Sequence, residues 1–410
     1  MITEKWELVI LPHHPARHII MGMKAKAMFV MLALALLVAG CGHGAGLPPA
    51  SPLPTAVAAP TFQPATPTAT ALTAQILTPA NPALVSPPTA TVTAVTPSPS
   101  PTPYPLEPYT LASLRQRPYP GGQIQVRAVL AQTADFSQSY LAYTSDGLTI
   151  TGIMHTPTGP GPFPVVILLH GYFDRDRYWS GAGTWQAAEF FARHGFLTLA
   201  PDLRSWGESD SGLSLFHTGL AVDVLNLLSA VAELPQADAS RIMLWGHSMG
   251  GGIATKLLTV DERLRAAVLY APNSADDTDL IARWGRGCLP GESEAAGNRC
   301  NPAEIIPPDT PADLVASYLT AAADPDLIRL FAPIYHLGQV QAPVQIHIGL
   351  ADGQGLAETP PEWSEKLHAA LLAAGKQSEL FRYAGQGHFF VGESWNLLLQ
   401  RALTFFQSVE

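Results

Sequence analysis

Residues 241–255 read RIMLWGHSMGGGIAT, an apolar run that gives way to four glycines around one serine and then resumes with small apolar residues. RIMLW has the length and character of a strand buried on both faces. GGIATKLLT, directly behind the serine, can open a helix. Ser248 therefore stands at a strand-to-helix junction, between Gly246 and Gly250, in the pattern G-x-S-x-G. A side chain at either glycine would collide with a tight strand–helix crossing, and Gly251 and Gly252 let the helix lie close to its neighbours. Two readings follow. One is a glycine-rich structural turn. The other is a strained turn that lifts the hydroxyl above the carboxyl end of a central strand, with the Met249 N–H facing the same space.

The surrounding sequence decides what kind of sheet this strand joins. VVILL (165–169), FLTLA (196–200), LRAAVLY (264–270) and PVQIHI (343–348) are short runs that are apolar throughout. Between them lie helix-like segments such as TWQAAEFFARHG (184–195) and LAVDVLNLLSAVAEL (220–234). Strands apolar on both faces and separated by helices specify a parallel sheet covered on both sides, an α/β doubly wound architecture. Thr184 suits a helix N-cap and Gly195 a C-terminal stop. Upstream, SYLAYTS and LTITGIM meet at Asp146-Gly147, a hairpin signal for antiparallel strands, with Leu148, Ile150 and Ile153 or Met154 available to a core.

A serine hydroxyl is a weak nucleophile until a base takes its proton. The expected base follows the last strand, where LFRYAGQGHFFVGES places His388 in a glycine-flanked loop ahead of the final helix, SWNLLLQRALTFF. His170, His194, His217, His247, His336, His347 and His368 each fall in a strand, helix or turn with another explanation. The third group must orient the imidazole and stabilise its protonated form. PVQIHIGLADGQ puts Asp352 on the loop after a buried strand, and its plain reading is a turn aspartate before Gly353. YAPNSADDTD offers rival acids in Asp276 and Asp277. Charge developing on a substrate oxygen needs donors, and VVILLHGYFD supplies the N–H of Tyr172, beside that of Met249. His170 reads as a buttress of that loop.

These landmarks, HGY (170–172), PDLRSWGESD (201–210), GHSMGG (246–251), GLADG (349–353) and GQGH (385–388), resemble the α/β-hydrolase superfamily, nearest to its dienelactone hydrolase and prolyl oligopeptidase-like branches. The resemblance covers roughly residues 139–410 and follows the family order Ser, Asp, His. It implies an α/β-hydrolase fold with N-terminal antiparallel strands, catalysis by Ser248, Asp352 and His388, and an oxyanion hole at Tyr172 and Met249. It also implies that PDLRSWGESD is a structural loop beside the site, with Ser205 where glycine is usual. The stretch 272–335 reads as a cap insertion in which DLIARWG and PADLVASYLTAAA form short helices.

The chain has 410 residues, 47% hydrophobic and 14% charged, with a formal net charge of −10. No basic patch is evident, which argues against nucleic acid as the partner. Lys24 and Lys26 precede the apolar stretch AMFVMLALALLVAG (27–40), too short to span a bilayer comfortably. That layout, ending at Val38-Ala39-Gly40-Cys41, resembles a bacterial lipoprotein signal, which implies cleavage before Cys41 and lipidation of its sulfur; a plain secretory signal or short anchor is the alternative. Residues 1–40 thus form the signal segment, although Glu4 and Glu7 fit one poorly and a start at Met21 or Met23 is open.

From 41 to 106 the chain is rich in Pro, Thr and Ala, without Asp, Glu, Lys or Arg, and reads as a disordered tether or a glycosylated stalk. Residues 107–410 form the catalytic domain. With Cys41 lipidated, Cys288 and Cys300 are the remaining cysteines of an exported chain, and a disulfide is expected, two free thiols being the alternative. His13, His14 and His18 precede the cleavage point, and no metal or cofactor is expected.

The sequence therefore reads as a membrane-tethered, extracytoplasmic serine hydrolase whose partner is a small-molecule ester. A short-peptide substrate, for an exopeptidase or amidase, uses the same machinery. No β-propeller stands before the domain, as it does in the large prolyl peptidases, which favours esters. A non-catalytic binding lipoprotein that kept the fold is the reading from outside enzymes.

Overall fold

The computed structural model describes residues 105–285 and 309–409. The described elements run α1 (Leu111–Gln116), β1 (Gln125–Gln132), β2 (Phe136–Ser145), β3 (Leu148–Pro157), β4 (Phe163–Leu169), α2 (Trp185–Arg193), β5 (Leu197–Pro201), α3 (Thr218–Val231), β6 (Ala237–His247), α4 (Met249–Leu258) and β7 (Leu264–Tyr270). They continue with α5 (Asp277–Trp284), α6 (Ala312–Ala323), α7 (Pro325–Ile328), β8 (Val344–Gly349), α8 (Pro361–Ala373), β9 (Ser378–Tyr383) and α9 (Glu393–Ser408).

The strands form one sheet in the order β1-β2-β3-β5-β4-β6-β7-β8-β9. Pairs from β1 to β5 are antiparallel, and those from β5 through β9 are parallel. The doubly wound expectation holds, and its physical mark is side-chain alternation. On β4, Val165, Ile167 and Leu169 pack with α3, α4 and α8, while Val166 and Leu168 pack with α2 and α9. On β6, Ile242 and Leu244 face the first group, and Met243 and Trp245 the second. Both faces are covered, so the central strands read as unbroken apolar runs.

The β2–β3 hairpin closes through Asp146 and Gly147, with φ of 50° and 84° and Ser145 paired to Leu148. Both turn residues adopt positive φ, as a two-residue turn of this hand requires. Ile150, Ile153 and Met154 are buried. Gly195 follows α2 with φ of 87°. Thr184 occupies the N-cap of α2, but its hydroxyl donates to Gly181 O at 3.0 Å and makes no capping hydrogen bond.

Strand β1 has no counterpart in the sequence reading. All its residues are exposed, and register irregularities follow Val126 and Val129. The start of the folded region also shifts slightly, because Leu106 is fully buried with Phe216, Tyr318 and Phe331. Within the stretch read as a cap, α5 and α6 match the two expected helices. The signal segment, Cys41, the tether up to residue 104, and Cys288 and Cys300 lie outside the described residues. No helix among the described residues is long and apolar enough to cross a membrane.

Candidate active site

Ser248 is the hinge between β6 and α4. Its φ is 55° and its ψ −118°, a left-handed conformation that side chains other than glycine avoid. Surrounding hydrogen bonds hold it there. Ser248 N donates to Tyr270 O at 3.0 Å, and Ser248 O accepts from Gly251 N, Gly252 N and Asn273 N at 2.9, 3.2 and 2.9 Å. The flanking glycines are obligatory for steric reasons. A Cβ on Gly246 would lie 2.4 Å from Gly250 O, and one on Gly250 would lie 2.2 Å from Leu169 O. Of the two readings of the glycine cluster, the geometry is that of the strained turn.

Asp352 and His388 arrive from two neighbouring loops, after β8 and β9. His388 Nδ1 lies 3.0 Å from Asp352 Oδ2 and 3.2 Å from Oδ1. Both side chains are buried. Since Nδ1–H donates to the carboxylate, Nε2 is left as the basic nitrogen. Asp352 is itself fixed by Gly353 N at 2.7 Å, Thr359 N at 3.2 Å and Thr359 Oγ1 at 3.0 Å.

Of the two rival acids, Asp276 is engaged elsewhere. Asp276 caps α5, accepting from Thr278 N and Thr278 Oγ1, and its other oxygen pairs with Lys366 Nζ at 2.7 Å. Burial alone would raise its pKa, but hydrogen bonds from Lys366 and Thr278 outweigh that and hold it low. Asp277 is buried, and burial pushes its pKa up to about 6 against the opposing charge of Lys256.

The loop after β4 abuts the Ser248 turn: a Cβ on Gly171 would lie 3.2 Å from both Ser248 Cβ and His247 Nδ1. Tyr172 follows, its ring edge-on to Trp206 at 5.9 Å. Met249 opens α4, where a first-turn N–H has no intrahelical acceptor. His170 buttresses the loop as expected, with Nδ1 2.7 Å from Gly171 O and Nε2 2.9 Å from Asp202 O. Burial keeps its pKa low despite these two acceptors. The PDLRSWGESD loop is anchored by Asp202, which accepts from Thr151, Tyr178 and Ser180, and by Arg204, which pairs with buried Asp223 at 2.7 Å. Ser205 has φ of 74°, the conformation glycine would take more easily.

The roles of four side chains went unread in the sequence. Thr359 Oγ1 touches Asp352 and lies 3.3 Å from His388 Nδ1. His247 Nε2 lies 3.1 Å from His388 O. Arg283, at the end of α5, donates to the carbonyls of Gly353, Gly355 and Leu356, and Trp284 Nε1 reaches Leu356 O at 2.6 Å. The cap helix thereby grips the loop that follows Asp352. Among the described residues there is no His, Cys, Asp and Glu cluster able to hold a metal.

The model of the Alpha/beta hydrolase family matches residues 166–399, more than half of the chain. The chain belongs to the alpha/beta hydrolase family. Among curated proteins, the esterase FrsA of Shigella boydii and that of Escherichia coli are 29% identical to it over 134 residues. The match spans 31% of this hydrolase and 29% of those proteins, less than a third of their length. Among solved structures, an acetyl xylan esterase from Paenibacillus sp. R4 is 20% identical, with a TM-score of 0.53 over 75% of this chain and 94% of that one. Acetyl xylan esterase 1 from Thermoanaerobacterium sp. JW/SL YS485 is 17% identical, with a TM-score of 0.51 over 72% and 90%. At these identities the likeness establishes the alpha/beta hydrolase fold.

Proposed function

We propose that this alpha/beta hydrolase is a serine esterase that cleaves carboxylic esters through an acyl-enzyme. The observation that carries the reading is the 3.0 Å contact of His388 Nδ1 with Asp352, on loops that neighbour the strained turn bearing Ser248. Ser248 Oγ attacks the ester carbonyl while His388 Nε2 takes its proton. Asp352 stabilises the imidazolium, and the N–H groups of Met249 and Tyr172 receive the negative oxygen. Collapse of the tetrahedral intermediate breaks the C–O bond, and His388 returns the proton to the departing alcohol. Water, deprotonated by the same nitrogen, then attacks the acyl-serine and releases the acid.

Esters are favoured because an alkoxide leaves more readily than an amine, and the partial relatives named above are esterases. The protein acts outside the cytoplasm, carried by an acylated Cys41 at the head of the proline-rich tether. Labelling with a fluorophosphonate probe tests the nucleophile: wild type is labelled, and Ser248→Ala is not. The ester preference rests on kcat/KM for nitrophenyl esters against aminoacyl-anilides. Anilide turnover equal to that of the best ester assigns an amidase instead.

A further inference from the structure

Asp352 and Thr359 bracket a short loop, and the residues beside them pin both of its ends. Gly353 has φ of 81°, and a Cβ there would lie 2.7 Å from Pro360 Cα, so glycine is what lets the two ends close on each other. Thr359 precedes Pro360, which confines its backbone to extended conformations, and Pro361 opens α8. Thr359 is also β-branched and 2% exposed, so its side chain has little rotameric freedom. The chain thereby delivers one hydroxyl to a fixed point.

Thr359 meets both oxygens of Asp352. Its N–H donates to Oδ1 at 3.2 Å, and its hydroxyl lies 3.0 Å from Oδ2. The same Oγ1 lies 3.0 Å from Ala271 O and 3.3 Å from His388 Nδ1. The single hydroxyl proton thus has two acceptors, the carboxylate and the Ala271 carbonyl, and a lone pair remains for the Nδ1–H of His388. Asp352 alone would hold the imidazole from one side chain. With Thr359 the Nδ1 edge of the ring faces three oxygens from two residues, at 3.0 to 3.3 Å. The Ala271 contact reaches further, because Ser248 N donates to the carbonyl of the preceding residue, Tyr270. Adjacent carbonyls at the end of β7 therefore hold the Ser248 turn and Thr359, and through Thr359 the Asp352–His388 pair.

We propose that Thr359 is a positioning residue for the proposed triad: its hydroxyl sets the imidazole of His388 against Asp352 and ties that pair to the strand end holding the Ser248 turn. The proposal rests on the reading of Ser248, Asp352 and His388 as nucleophile, acid and base. Valine has nearly the shape of threonine, but it can donate to neither Asp352 nor Ala271 and leaves buried acceptors short of a proton. The imidazole also loses its third oxygen, so Nε2 is held less firmly toward Ser248. Alignment of this kind is felt in the transition state more than in substrate binding, and its loss falls on kcat and not on KM.

The test compares wild type, Thr359→Val, Thr359→Ala and Thr359→Ser on p-nitrophenyl butyrate, with Tm reporting the fold of each. Without the hydroxyl, in the Val and Ala variants, kcat falls by about 10- to 100-fold while KM stays within about twofold of wild type. Thr359→Ser, which keeps the hydroxyl, recovers most of that loss. In an Asp352→Asn background, Thr359→Val costs no more than about twofold further, because the hydroxyl acts through a pair already disabled. Full kcat in a folded Val or Ala variant overturns the proposal. So does a Ser variant as slow as Val, or a loss in the Asp352→Asn background as large as in wild type. Failure of both Val and Ala variants to fold overturns it too, since the hydroxyl would then serve the fold. Fluorophosphonate labelling separates the two levels. Unlabelled wild type removes the nucleophile and the proposal with it, whereas labelled wild type whose turnover is indifferent to the hydroxyl removes the proposal alone.

Discussion

His247 Nε2 lies 3.1 Å from the backbone oxygen of His388, and the two rings stand 4.7 Å apart. The residue preceding the proposed nucleophile thus holds the loop of the proposed base. Burial, and then the neighbouring His388, drive the pKa of His247 well below the usual range, so it is a neutral donor. That neutrality suits the proposed role of His388 as proton acceptor. His247→Ala should lower kcat by about tenfold or more, the scale of one lost positioning hydrogen bond. His247→Gln, which keeps an N–H donor, should recover part of it. Equal losses in both variants would mean that His247 acts by packing alone.

The choice between the acids gives a sharper contrast. Asp352→Asn removes the charge beside His388, and kcat should fall by about 10⁴-fold. Asp276→Asn should instead weaken the α5 cap and the Lys366 pair, lowering Tm with only a modest change in kcat. The reverse pattern would transfer the acid role to the loop after β7.

Arg283 offers a test of the cap from a distance. Its guanidinium spans the carbonyls of Gly353, Gly355 and Leu356 at 2.7 to 3.2 Å, and Gly353 N in turn holds Asp352. Arg283→Met should loosen that segment and reduce kcat by about tenfold, while Arg283→Lys, without the planar fork, should fall between. An unchanged kcat in the Met variant would show that the acid loop holds itself.

Acid should destabilise the fold through a buried histidine remote from the site. His155 is 1% exposed, and burial, assisted by the charge of Arg193, lowers its pKa to about 4. Between that value and the ordinary 6.5, the unfolded chain binds the proton and the folded one does not. Stability is therefore full above pH 6.5 and declines as pH falls toward 4, by about 3 kcal/mol from this group. His155→Leu should flatten the slope over that window in urea titrations at successive pH values. A slope identical to that of wild type would place the acid sensitivity elsewhere.

Much of this architecture was legible because its causes are local in sequence. Strands buried on both faces must be apolar throughout, and β4 through β8 announce themselves that way. The Asp146-Gly147 turn and the glycine pattern around Ser248 are each written in residues within a few positions of one another. Strand β1 escaped because it is exposed along its whole length and carries no apolar alternation. The supports of the site escaped for another reason. Thr359 is 29 residues from His388, Arg283 is 70 from Gly353, and His247 is 141 from His388. Side chains that act across such separations leave no periodicity, and only the folded chain shows which carbonyl each one meets.

The positive φ of Ser248 implies that reactivity and stability are opposed at this one position. Holding a residue with a side chain in that region costs on the order of 1–3 kcal/mol, a debt that glycine does not incur. Ser248→Ala keeps the debt and loses the hydroxyl, so its Tm should stay close to that of wild type. Ser248→Gly loses both, and it should melt several degrees higher while catalysing nothing. If so, the native chain sits below the stability its own backbone allows, and selection for a more robust fold would tend to erode the proposed nucleophile first.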